Sequence, residues 1–262
     1  MQELEKLEKI KDRDLHAVVS ERYFKLWEAE SIEEFKRAFL DCLECHYHAY
    51  HTGRVLHRDI SENNLMIWRP IKERSTESLG ILNDFDMAAE VGDDGELLAN
   101  SARRRTGTLP FIARDLLAPI PKGGPSPKHL YRHDLESFFY VLIWAAAHYE
   151  FGTKTRHPTS EVLKKWDEED RSHVFKCVFM TNIAYYRDLR SLARPENHDL
   201  CLEWIEPLHK LFFRAQLDMM THDLHGKPFD YDTYNGKITF ANFMAAIGET
   251  PRGFEPDSYQ FL

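Results

Sequence analysis

Three oxygen-bearing side chains stand out for what they could do together. Asp59 and Asn64 lie in the run His57-Arg58-Asp59-Ile60-Ser61-Glu62-Asn63-Asn64, and Asp84 lies in Asn83-Asp84-Phe85-Asp86. Carboxylate and amide carbonyl oxygens are hard donors, the kind that magnesium accepts. A carboxylate can also orient a hydroxyl or take its proton. Other candidate ligand sets read differently. Cys42 and Cys45 with His46, His48 and His51 lack a second CxxC or HxxxH to complete four ligands at structural-zinc spacing, so helix packing is the expectation. Asp230-Tyr231-Asp232 ahead of Gly236 resembles a calcium loop only at a glance. Counting from Asp230, Tyr234 falls at the fifth position, Asn235 where the turn glycine belongs and Ala241 where the bidentate Glu belongs, so a turn is expected there.

The elements around these residues follow from periodicity. Ser31-Ile32-Glu33-Glu34 is a capping box, and Ile32, Phe35, Phe39, Cys42, Leu43, His46 and Tyr50 keep the three-and-four spacing of an amphipathic helix that Gly53 stops. Leu65-Met66-Ile67-Trp68 and Ile81-Leu82 read as a β-hairpin across a long charged connection. The Asp59–Asn64 run therefore follows a helix, and the hairpin delivers Asp84. Residues 91–110 show no period and read as loop, and residues 118–127 are a turn-rich joint between helices. From Asp134 the chain reads as helical over 134–149, 160–166, 171–181 and 201–220. No repeat appears, so a single mainly α domain with a small β-hairpin, α+β overall, is predicted.

The run from His57 to Asn64 matches HRDxxxxN, the catalytic-loop signature of protein kinases, and Asp84-Phe85-Asp86 is a DFG-like triplet. The segment 106–115 (TGTLPFIARD) then stands in the place of the stretch that ends in APE, and His133-Asp134-Leu135-Glu136-Ser137 opens a long apolar helix. With Ile238-Thr239-Phe240 and the stretch 243–247, these motifs as a set resemble the fungal-type protein kinase family, over about residues 17–247. The resemblance implies a protein-kinase-like C-terminal lobe and transfer of the ATP γ-phosphate to Ser or Thr of a protein. It also implies roles: Asp59 would orient or deprotonate the acceptor hydroxyl, and Asn64 and Asp84 would hold Mg2+ against the nucleotide. Phosphoryl transfer asks for little else from a protein than positioning and charge neutralisation. His57 and Phe85 would pack together in the core. Arg58 would receive an activation-loop phosphate, with Ser101, Thr106 and Thr108 as nearby hydroxyls. Thr108 aligns with the threonine that touches the catalytic Asp, Asp115 keeps the carboxylate of a structural ion pair, and Asp134 resembles the Asp that hydrogen-bonds the HRD backbone. The Arg103-Arg104-Arg105 run could attract a phosphate or an acidic peptide, or form a solvated loop face.

The pattern also breaks. Ser61 stands where a phosphate-contacting Lys is usual, Asp86 replaces the Gly of DFG, and Arg114-Asp115 replaces Pro-Glu. Upstream, Ala17-Val18-Val19-Ser20 reads as the last N-lobe strand and residues 21–26 as the hinge, with sixteen residues before them and no glycine among those sixteen. Four strands of about 5 residues and a helix of about 11 would need more. A truncated N-lobe is therefore expected, with residues 1–16 a charged helical extension, 17–250 the kinase-like domain and 251–262 a tail. Two functions follow: a phosphotransferase using ATP and Mg2+, with weakened nucleotide binding, or a catalytically inactive scaffold that binds protein partners. A third possibility is a truncated gene product.

Composition bounds the partners. Of 262 residues, 34 are Lys or Arg and 43 are Asp or Glu, a net charge of -9 that disfavours a phosphate-backbone partner, so a protein substrate or partner is expected rather than nucleic acid. The longest apolar run, residues 138–147, is well short of the ~20 residues that span a bilayer, and MQELEKLEKIK is not signal-like. An intracellular protein without a membrane segment is the expectation, and four cysteines do not suggest a disulfide framework.

Overall fold

The computed structural model describes residues 21–70, 77–93, 95–98, 107–120, 124, 127–225 and 228–252. The readings at residues 1–20, Ser101, Arg103-Arg104-Arg105, Thr106 and 253–262 lie outside the described residues.

Helix α1 (Ile32–His51) starts as its sequence requires: Ser31 Oγ accepts from the Glu34 amide at 3.2 Å. The Glu34 carboxylate does not close the box. It accepts from the Glu30 amide at 2.6 Å and from Arg69 at 2.8 and 3.0 Å. The apolar stripe Phe35, Ala38, Phe39, Cys42 and Leu43 is buried, which puts Cys42 in the hydrophobic core. The predicted hairpin forms: β3 (Leu65–Trp68) pairs antiparallel with β4 (Leu79–Leu82), with Leu65 opposite Leu82, and β1 (Phe24–Lys25) adds to the other edge of β3. This sheet lies close on α1. A Cβ on Gly80 would come within 2.0 Å of the Ala38 carbonyl oxygen, so only glycine fits. The short strand β2 (Val55–Leu56) pairs with β5 (Ala89–Glu90), and Val91 bridges Leu97, so the stretch read as loop begins with extended structure.

Helix α2 (Tyr131–His148) is the axis of the core and is buried on nearly every face, as expected of a helix apolar all round. Its Phe138 meets Phe39 of α1, ring centroids 5.5 Å apart. The next residue, Phe139, turns to Phe179 of α4 (Ser172–Thr181) and to Phe212 of α6 (Glu206–His225), at 5.9 and 5.2 Å. Each such buried ring contributes about 1.5–3 kcal/mol of transfer free energy. Between α2 and α6 lie the hairpin β6 (Tyr149–Glu150) and β7 (Thr155–Arg156), the short α3 (Glu161–Lys164), and α5 (Ile183–Ser191), which periodicity did not reveal. The helix expected at 201–220 opens with a π turn at Cys201–Ile205 and runs on to His225, and α7 (Phe240–Ala246) follows. The architecture is mixed α+β, helix-rich with small sheets.

Candidate active site

The run 57–64 leaves β2 and enters β3, and its backbone is bent sharply at Arg58, which takes φ +71°. A non-glycine residue in this region costs about 1–3 kcal/mol and persists only where its surroundings hold it. The holder is Asp134 on the first turn of α2. Its Oδ2 accepts from the Arg58 amide at 3.0 Å and from His46 Nε2 at 2.9 Å, and its Oδ1 accepts from His129 Nε2 at 2.7 Å. Asp134 is wholly buried. Burial alone would push its carboxyl up, but His129 and His46 outweigh that and hold it well below the usual carboxylate range. The carboxylate thus has the donors that a buried charge requires.

With the loop held, Asp59 faces the segment that follows Gly107. Its Oδ1 accepts from both the amide and the Oγ1 of Thr108, each at 2.9 Å. Asn64 Nδ2 donates to the Asp59 carbonyl at 2.8 Å and to Oδ2 at 3.2 Å, which spends the amide nitrogen and leaves the carbonyl oxygen of Asn64 as the atom a hard cation would take. Gly107, at φ +120°, allows this approach, because a Cβ there would lie 2.9 Å from Ile112 Cγ1 and 3.3 Å from the Arg58 carbonyl oxygen.

Asp84 is brought to the same end of the site by backbone. The Asn83 amide donates to the Asn64 carbonyl at 2.8 Å, and His57 Nε2 donates to the Asn83 carbonyl at 2.9 Å. His57 Nδ1 accepts from the Asp59 amide at 3.2 Å, so the ring is the neutral Nε2–H tautomer. Burial, which lowers its pKa against the opposing pull of Asp134, agrees with this. Asp84 is exposed and takes φ +61°, capping a 3₁₀ turn over Phe85–Met87 through the Asp86 amide at 3.3 Å. The left-handed residue is therefore Asp84, while Asp86, in the DFG glycine position, lies in the turn. The Phe85 ring sits 4.6 Å from that of His57 at 61°, yet Phe85 is 40% exposed.

Asp115 acquires the partners that the sequence left unassigned: Arg132 at 2.8 Å, Arg114 at 3.1 Å and the Tyr234 hydroxyl at 2.5 Å. Burial raises its pKa, but the two guanidinium groups overcome this and hold it well below the ordinary value. The Arg114 amide donates to Glu136 Oε1 at 2.7 Å, so the end of the segment is fastened to α2.

Several residues of the site escaped the sequence reading. His46 was read as one more core position of α1, although a buried imidazole needs a partner, and that partner is Asp134. Glu62, inside the run 57–64, is buried and accepts from the Tyr149 hydroxyl at 2.9 Å and from Arg156 at 2.7 Å, tying the loop to the β6–β7 hairpin. Lys25 Nζ donates to the Asn63 carbonyl at 3.1 Å, which brings an ammonium to the loop, while Ser61 is fully buried. A cavity of about 260 Å³ lies elsewhere, lined by Tyr50, His51, His129, Tyr131 and Phe240 and by none of Asp59, Asn64 and Asp84. No helix among the described residues is long and apolar enough to cross a membrane.

Comparison with known proteins agrees with the motifs. A family model described as fungal protein kinase matches residues 2–146. No curated protein matches the chain.

Proposed function

The chain belongs to the fungal protein kinase family, and from that premise we propose that it carries a kinase-like C-terminal lobe whose Asp59, Asn64 and Asp84 transfer the ATP γ-phosphate to a Ser or Thr hydroxyl of a protein. The observation that carries the reading is the clamp on Asp59. One carboxylate oxygen is fixed by Thr108 and the other by Asn64, as an acid that must meet an incoming hydroxyl in one orientation requires. The donor chemistry of the remaining groups fits magnesium: a carboxylate on Asp84 and the amide oxygen of Asn64, joined through one backbone hydrogen bond between residues 83 and 64. When bound, the ion would neutralise charge on the nucleotide phosphates. His57, Arg58 and Asp134 act through the loop, by holding its bend. Thr108 is read as structural, since its hydroxyl is committed to Asp59.

A second reading, a non-catalytic protein-binding scaffold, is favoured by one observation: Phe85 and Met87 beside Asp84, together with Leu79 of β4, are 40%, 48% and 47% exposed. Calorimetry of Mg-ATP binding separates the two. Saturable binding that Asp84→Ala abolishes supports the phosphotransferase. No binding at millimolar nucleotide leaves the scaffold.

A further inference from the structure

The site described so far assigns nothing to Lys176, a fully buried lysine on α4. Its Nζ donates to the Leu109 carbonyl at 3.0 Å and to the Ile112 carbonyl at 2.7 Å, and it lies over the rings of Tyr140 and Trp166 at 4.7 and 5.7 Å. Among the described residues no carboxylate comes within ion-pair distance of it. The acids that act on it from further away are Glu136 and Asp167, and Glu136 Oε1 already accepts from the Arg114 amide and the Tyr140 hydroxyl. A buried ammonium is costly, and an apolar side chain of the same length would fill this space more cheaply. What an apolar side chain could not do is hold the two carbonyls.

Both carbonyls belong to the turn that starts at Thr108. The amides of Phe111 and Ile112 donate back to the Thr108 carbonyl at 2.8 and 3.2 Å, so residues 108–112 move as one piece. One side of that piece delivers the Thr108 amide and hydroxyl to Asp59. The other side is fastened to Lys176. We propose that Lys176 is a positioning residue for Asp59: by holding the carbonyls of Leu109 and Ile112 it keeps the Thr108 turn seated on the catalytic loop and the Asp59 carboxylate in one orientation. Burial, the dominant influence, lowers the Lys176 pKa from 10.5 to about 7, which marks how completely the docked turn removes the amine from water. The catalytic meaning rests on the reading of Asp59 given above; the mechanical link from residue 176 to residue 59 does not.

Lys176→Met keeps the length and apolar stem and removes the donor. Amide hydrogen exchange on the whole chain, resolved at Thr108, is expected to quicken about ten- to hundredfold in this variant, the cost of leaving the buried Leu109 and Ile112 carbonyls without their donor. Mg-ATP affinity should stay unchanged, because Asn64 and Asp84 are joined through residues 64 and 83. Where phosphotransfer is measured, kcat should fall while KM for ATP holds. Unchanged Thr108 exchange in the folded variant overturns the proposal. If the variant does not fold, the wild-type chain answers by titration. An undocked, hydrated amine keeps its proton up to about pH 10.5 and the docked one only to about 7, so docking must tighten above pH 7. Thr108 protection, corrected for intrinsic exchange, should then rise between pH 7 and 9, and a flat profile overturns the link. If exchange responds as expected but no phosphotransfer occurs in any variant, the reading of Asp59 fails and the link stands.

Discussion

Replacing Asp134 by Asn tests whether one buried carboxylate holds the bend of the 57–64 loop. Asn preserves the volume but offers one acceptor oxygen where the carboxylate offers two, and it turns an NH2 group toward one of three donors now satisfied: the Arg58 amide, His46 Nε2 and His129 Nε2. One charge-assisted hydrogen bond is lost, about 1.5–3 kcal/mol, and one buried donor is left facing another donor, about 1–3 kcal/mol. The expected destabilisation is about 3–5 kcal/mol, a large share of the roughly 5–15 kcal/mol that folds a domain. Urea unfolding followed by fluorescence of the five tryptophans measures it as a fall in midpoint with an unchanged slope. The sign with pH is also set. The folded pKa of Asp134 lies well below its ordinary value of 3.8, so its contribution is fully present above about pH 4 and is lost as pH falls through the lowered value. The gap between wild type and Asp134→Asn should therefore narrow in acid. A loss below about 1 kcal/mol, or a gap that ignores acid, would refute the idea that Asp134 holds Arg58 at φ +71°.

Two further outcomes test the scaffold beneath the site. Gly80→Ala sets a Cβ against the Ala38 carbonyl, a backbone atom that cannot rotate away, so β4 must lift from α1 and stability should fall by about 3 kcal/mol in urea. His148, buried at the end of α2, has its pKa lowered to about 4, mainly by burial and then by Arg156. A lowered histidine is protonated more readily in the unfolded chain, so stability rises with pH between about 4 and 6.5 and is lost as pH falls through that window. His148→Gln should remove about 2 kcal/mol of the loss seen between pH 8 and pH 5, as read from paired denaturant curves.

Where each feature could be read follows from how far apart its partners lie in the chain. Asp59 and Asn64 share one short run, and Asp84 stands two residues past a hairpin strand, so the identity and spacing of these oxygens could be read from neighbouring residues. The Ser31 cap and the stripe from Phe35 to Leu43 revealed α1 for the same reason, because helix periodicity is a local property. The register of β3 on β4 was legible only as an existence, since its connection is long and nothing local announces that Gly80 must meet Ala38. The partner of Asp115 could not be named, because Arg132 and Tyr234 reach it from different elements.

The sequence by itself determined which groups could act and in what order along the chain: an acid, an amide and a second acid in a family pattern. The tertiary structure alone decided what holds them. His46 is 88 residues from Asp134, Thr108 is 49 from Asp59, and Lys176 is 64 from Ile112. Such pairs leave no mark in any local window. A buried charge can be seated by a histidine, a backbone amide or a carbonyl with similar success, and only packing chooses among them.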